Sequence, residues 1–128
     1  MNSNILDSSA WIECLDEGPN TVHFGPILEK HPNLIVPSIT ITEVRKVVLR
    51  QRDAEKADRI TDSMESCEVI DLTPTLARYA ADLAIKHKLP LADSIIYAAC
   101  LKNKATLWTQ DPDFKHLESV KYFEKQKK

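Results

Sequence analysis

Short apolar runs alternate with longer stretches of helical periodicity along this chain. The runs Asn4-Ile5-Leu6, Leu34-Ile35-Val36, Val69-Ile70, Ala105-Thr106-Leu107-Trp108-Thr109 and Val120 to Phe123 are too short for helices and predict buried strands. Between them, helices are expected from Ser8 onward and over 39–51, 54–64, 75–86 and 91–102. In the last of these, Ala92, Ile95, Ile96 and Ala99 keep the spacing of a buried face, which leaves Asp93 one position from the core stripe. The alternation predicts an α/β sandwich, a mostly parallel central sheet flanked by helices, in a single domain spanning residues 1–128. No repeat, linker or shift of composition divides it.

Acidic residues fall where the apolar runs meet helices: Asp7, Glu43, Asp93 and Asp111, with Asp113 beside the last. In a parallel sheet the loops leaving the carboxyl ends of strands bind ligands, and Asp7 and Asp111 follow strands in this way. Carboxylates gathered there repel one another unless a cation holds them, and hard oxygen donors suit magnesium or manganese. Each acid also has a structural reading. Glu43 ends Thr40-Ile41-Thr42-Glu43, a capping-box pattern. Asp93 falls in the first turn of a helix opened by Pro90, where the helix dipole favours a carboxylate. Asp111 suits an Asp-Pro turn, and Asp113 suits the cap of a segment over 114–117. Asp7 resists such a reading, because a strand-terminal acid is costly to bury without a partner. The occurrence of all four together favours a metal site.

Composition narrows the alternatives. With 128 residues, 43% of them hydrophobic, the chain is large enough for its own core, and no apolar run is long enough to cross a membrane. The N-terminus lacks the basic and apolar segments of a secretory signal, which points to the cytoplasm. Cys14, Cys67 and Cys100 are odd in number and widely spaced, against both a disulfide framework and a zinc site, and Cys100 reads as a small core residue. His23, His31, His87 and His116 lack ligand spacing and are expected at the surface or at helix ends. Two glycines are too few for a phosphate-cradling loop. No Ser or Cys has a recognisable His partner, so covalent catalysis is not expected.

The net charge of −2 lacks the basic excess usual in nucleic-acid binders, but it includes the acids that a metal would neutralise. Arg45 and Arg50, on the helix that carries Glu43, are candidate phosphate contacts. Lys121, Lys125, Lys127 and Lys128 read as a solvated end. Trp11 and Trp108 lie beside apolar runs and read as core or dimer-interface residues rather than as base-stacking platforms.

The segments Ile5-Leu6-Asp7-Ser8-Ser9, Pro37-Ser38-Ile39-Thr40 leading to Glu43, Pro90-Leu91-Ala92-Asp93-Ser94-Ile95-Ile96-Tyr97-Ala98-Ala99 and Thr109-Gln110-Asp111-Pro112-Asp113-Phe114 resemble those of the PIN-domain ribonucleases. Among these the chain is most similar to the VapC toxins of toxin–antitoxin pairs. The resemblance implies a PIN-like sandwich forming one nuclease domain, which uses Mg2+ or Mn2+ to cleave single-stranded or looped RNA and leaves a 5′-phosphate. It also implies a cognate antitoxin protein and a homodimer. Asp7, Glu43, Asp93 and Asp111 are then the catalytic metal ligands and Asp113 is auxiliary, while Ser9 and Thr109 orient water or phosphate by hydrogen bonds. Two other readings stay open: a catalytically silent PIN-like binding scaffold, and a receiver-like regulatory module with Asp7 as phospho-acceptor.

Overall fold

The computed structural model describes residues 3–29 and 34–127, so His31 and Lys128 lie outside the described residues. Five strands, β1 (Asn4–Leu6), β2 (Leu34–Pro37), β3 (Glu68–Ile70), β4 (Thr106–Thr109) and β5 (Val120–Tyr122), form one sheet in the order β3-β2-β1-β4-β5. Every pairing is parallel, so the sheet is wholly rather than mostly parallel. The connections explain this: each strand is followed by a crossover, and no two are close enough in sequence for a hairpin.

The crossovers carry α1 (Ser8–Leu15), α2 (Thr21–Leu28), α3 (Ser38–Gln51), α4 (Ala54–Glu65), α5 (Pro74–His87), α6 (Leu91–Lys102) and a short 3-10 turn (Pro112–Phe114). Strand residues alternate between two cores. Leu6, Leu34 and Val36 pack with Trp11, Phe24, Val44 and Met64 of α1 to α4, whereas Ile5, Ile35 and Leu107 pack with Leu76, Ile96 and Tyr97 of α5 and α6. Burial on both faces is why the strands read as continuous apolar runs rather than as alternating ones. The chain steps from β1 to β2 to β3 with helices on one face, then returns across the sheet to β4 with helices on the other. A consistent crossover hand requires that switch of face.

Helix ends follow local chemistry. Thr73 caps α5, its hydroxyl accepting from the Leu76 amide at 3.2 Å. That helix stops where Lys88 turns into the left-handed conformation at φ 54°. Pro90 then caps α6 and places Asp93 in its first turn. The 91–102 helix has the bounds expected, with Ile96 and Ala99 fully buried. Cys100 is buried in the same core, as expected.

Candidate functional site

β1 and β4 are neighbours at the point where the strand order reverses, the crevice at which open parallel sheets bind ligands. Asp7 follows β1 directly and caps α1. Its Oδ1 accepts from the Ser9 hydroxyl at 2.7 Å and the Ala10 amide at 3.0 Å, and its Oδ2 accepts from the Thr109 hydroxyl at 2.5 Å. Three donors leave about one of a carboxylate's four lone-pair sites free, on Oδ2. The side chain is buried, and desolvation pushes its pKa from 3.8 up to about 6, although the bonds from Thr109, Ser9 and Ala10 each favour the anion.

Thr109 joins two acids. Its hydroxyl donates to Asp7 and accepts from the Asp111 amide at 2.9 Å, so the loop after β4 is tied to the end of β1. Asp111 in turn caps the 3-10 turn, its Oδ1 accepting from the Asp113 amide at 2.9 Å. The cap is therefore Asp111 and not Asp113, and the capped segment is Pro112–Phe114 rather than 114–117. Proline at the first position of that turn supplies a suitable φ, which moves the start of the turn forward by two residues.

Asp93, Asp111 and Asp113 each offer a carboxylate oxygen, and these oxygens lie within 4.8 Å of one another. Burial and the negative charge of Asp111 raise the Asp93 pKa, and a hydrogen bond from the protonated Asp93 to Asp111 together with the charges of Asp7 and Asp113 raises it further, to about 8. Acids this close hold a proton in place of a cation.

Glu43 stands apart from the capping box expected of it. Helix α3 starts at Ser38 with Pro37 as its N-cap, so Thr40 lies inside the first turn and Glu43 one turn further on. The Thr40 hydroxyl is buried without a hydrogen-bond partner, which is incompatible with a capping role. Glu43 instead meets a Ser8 hydrogen bond that favours its anion; desolvation outweighs that bond, and with the Asp111 charge it raises the pKa. Its Oε1 is buried with no partner. A buried carboxylate oxygen without a donor is costly, and a cation satisfies it. Of these acids, Asp93, Asp111 and Asp113 bring their oxygens close enough to share one ion, and hard carboxylate oxygens of this kind suit a divalent cation.

Residues 5–120 match the PIN domain family. The chain belongs to the PIN domain family. Solved structures share the fold at low identity. A toxin–antitoxin complex from Klebsiella pneumoniae is 22% identical, with a TM-score of 0.79 over 95% of this chain and 99% of the other. The VapBC2 structure from Rickettsia felis, bound to a promoter DNA fragment, is 18% identical, with a TM-score of 0.72 over 96% and 98%. VapC20 of Mycobacterium tuberculosis, described as a toxin cleaving the sarcin–ricin loop, is 16% identical, with a TM-score of 0.75 over 91% and 95%. No curated protein matches the sequence.

Within this PIN domain the remaining candidates fall unevenly. Ser9 touches Asp7, lies 3.5 Å from the Thr109 hydroxyl and accepts from the Gln110 amide at 3.4 Å, so Ser9 and Thr109 both belong to the acidic centre. Arg45 is engaged elsewhere: it pairs with Asp58 at 3.0 Å and donates to Thr61 at 3.2 Å, stitching α3 to α4. Arg50 is exposed in the last turn of α3, about 10 Å along the helix from Glu43 at 1.5 Å rise per residue. Trp11 is core, as expected. Trp108 donates to Asn4 at 2.9 Å, stacks with Phe123 at 6.0 Å and has the Lys121 ammonium 4.9 Å from its ring centre. His23 stacks on Phe123, and His87 packs against Tyr97 in the last turn of α5.

A buried polar group that sequence reasoning missed joins Glu13, Asn20 and Gln110. The one signal for it is a glutamate three residues after Ala10, on the side of α1 that otherwise faces the core. Gly18 sits against this group, and a Cβ there would lie 2.3 Å from the Glu13 carboxyl carbon. Gly18→Ala is expected to destabilise the fold by about 1–3 kcal/mol through overpacking, measured by urea denaturation. Unchanged stability would mean that the Glu13 side chain moves freely.

Proposed function

We propose that this PIN domain is a metal-dependent endoribonuclease, with magnesium or manganese as cofactor and RNA as substrate, acting in the cytoplasm as the toxin of a VapBC-type pair. One observation carries this: the partnerless buried oxygen of Glu43 feels the charge of Asp111, whose own carboxylate lies with those of Asp93 and Asp113 beside the switch point of the sheet. The chemistry a bound divalent ion supplies is Lewis acidity, lowering the pKa of a water and offsetting charge that builds on the departing oxygen of a phosphodiester.

The residues themselves divide the labour. Asp7, Glu43, Asp93 and Asp111 hold the ion, and Asp113 assists from the exposed side. Ser9 and Thr109 hold the Asp7 carboxylate by hydrogen bonds, and the lone pairs left on their hydroxyls orient a water or phosphate oxygen. A bound cation would offset the carboxylate charge that raises the Asp93 pKa and so favour its ionised form. Arg50 remains a phosphate contact for the RNA backbone; Arg45 is reserved for the α3–α4 contact. A receiver-like module is disfavoured, since the order 3-2-1-4-5 differs from the 2-1-3-4-5 of flavodoxin-like receivers. No helix among the described residues is long and apolar enough to cross a membrane.

The test is an assay of the purified chain on single-stranded and hairpin RNA with magnesium, with manganese and with chelator. Metal-dependent cleavage leaving 5′-phosphates is expected; RNA binding without cleavage under any metal would favour a silent scaffold. Resemblance to toxin–antitoxin proteins also makes the acidic cleft a docking point for an antitoxin, and an arginine fork matches paired carboxylates. Neutralising the cleft with Asp7→Asn and Asp111→Asn together is expected to weaken antitoxin binding roughly 10–100-fold, the worth of one charged hydrogen-bonded contact. Unchanged affinity would place the antitoxin elsewhere.

A further inference from the structure

Glu13, Asn20 and Gln110 are each 3–6% exposed and come from α1, the loop before α2 and the loop after β4. The Asn20 amide donates to Glu13 Oε2 at 2.8 Å, Gln110 Nε2 donates to Glu13 Oε1 at 3.4 Å, and Asn20 Nδ2 donates both to Gln110 Oε1 and to the Glu124 carbonyl, each at 3.0 Å. Among the described residues no lysine or arginine pairs with Glu13. A buried carboxylate held only by amides is a costly arrangement and is kept where its geometry matters.

The polarity of this chain of bonds is fixed at both ends by backbone groups. At one end the Asn20 N–H can only donate, and at the other the Glu124 carbonyl can only accept. Residue 13 must therefore accept from the Asn20 N–H and residue 110 must accept from the Asn20 side chain, so one of the two has to be a carboxylate and the other an amide. With glutamine at 110, its Nε2 faces residue 13, which then accepts twice as a carboxylate does. The flanking residues give this its meaning. Gln110 lies between Thr109, whose hydroxyl reaches Asp7, and Asp111, whose amide returns to that hydroxyl. Glu13 shares α1 with the Asp7 cap.

We infer that Glu13, Asn20 and Gln110 form a positioning clamp that holds the loop after β4 against α1, and so sets the Asp111 carboxylate relative to Asp7. None of the three side chains touches the acids of the centre; only the backbone amide of Gln110 reaches Ser9. The inference rests on the proposed metal-dependent site for its functional consequence, but the clamp itself has a readout that needs no metal.

That readout is hydrogen exchange of the Asp111 amide in the full chain with chelator, paired with the manganese dissociation constant from calorimetry. Glu13→Gln alone and Gln110→Glu alone each force a mismatch within the chain of bonds. Each is expected to speed Asp111 exchange at least about tenfold and to weaken manganese by about 10–100-fold, the usual effect of losing a group that orients a metal ligand. The double variant Glu13→Gln with Gln110→Glu satisfies every bond again and is expected to restore both values to within about threefold, a rescue within the range in which mutational effects of this kind agree. Asn20→Ala cuts the chain of bonds at its far end and serves if a single variant fails to fold; it should match them in both readouts. Exchange and affinity left unchanged by the single variants, or no rescue in the double variant, would overturn the clamp. If exchange follows the expected pattern while the wild type takes up no manganese, the clamp stands and the nuclease reading fails.

Discussion

Asp93→Asn and Asp7→Asn are each expected to abolish RNA cleavage while leaving a folded chain. The loss should exceed the roughly 10–100-fold that follows from removing a group behind a metal ligand, because here the ligand charge itself is removed at nearly constant volume. Asp93 is the more telling position. Its neighbours Asp111, Asp7 and Asp113 all favour its protonated form, so an amide relieves that repulsion and the metal-free variant should be no less stable than wild type. Asp7→Asn keeps an acceptor for Ser9 and Ala10 but turns an amide toward Thr109, whose hydroxyl can accept in its place. Single-turnover cleavage at saturating magnesium, beside a denaturation curve, separates lost chemistry from lost fold. Activity of Asp93→Asn within a few-fold of wild type would remove Asp93 from the site.

The second large effect is on stability against pH. Asp7 has a folded pKa of about 6 and Asp93 of about 8, both above the ordinary 3.8, so the folded chain binds more protons than the unfolded one between those values. Stability from these groups is fully present below about 3.8 and is lost as pH rises, first through about 6 for Asp7 and then through about 8 for Asp93. For the buried Asp7 the loss between the ordinary 3.8 and about 6 is on the order of 3 kcal/mol. A divalent cation reverses the trend by binding the ionised form, adding about 2.7 kcal/mol at a hundred times its dissociation constant. The metal-free melting temperature should therefore fall between pH 5 and pH 8.5, and added metal should restore it most at the alkaline end.

Much of the architecture was legible because burial on both faces of a parallel sheet leaves a plain mark, short unbroken apolar runs such as Leu34-Ile35-Val36. Helix α2 was not legible. Gly25 and Pro26 lie inside Thr21–Leu28, and Gly18-Pro19 precedes it, so residues that usually end helices mask a segment held by Phe24 and Ile27 in the core. At the site, Asp7 was readable as an acid ending a strand. Glu43 gave a misleading local signal, since Thr40-Ile41-Thr42-Glu43 has a capping pattern but the helix begins at Ser38, fixed by the end of β2. Asp113 sits where a cap is expected, but Asp111 fills that role and the Asp113 oxygen joins those of Asp93 and Asp111. The Glu13, Asn20 and Gln110 bonds span up to 97 residues of sequence, and no local pattern encodes a contact of that separation.

The most direct test of a cation-holding acidic centre is a manganese titration of the wild type and of Asp7→Asn at pH 8, followed by melting temperature from chelator to millimolar metal. The account predicts a saturable rise for wild type and a much smaller one for Asp7→Asn, with the variant at least as stable as wild type in chelator. No rise for wild type, together with a destabilised Asp7→Asn in chelator, would contradict it and leave Asp7 and Asp111 as structural caps.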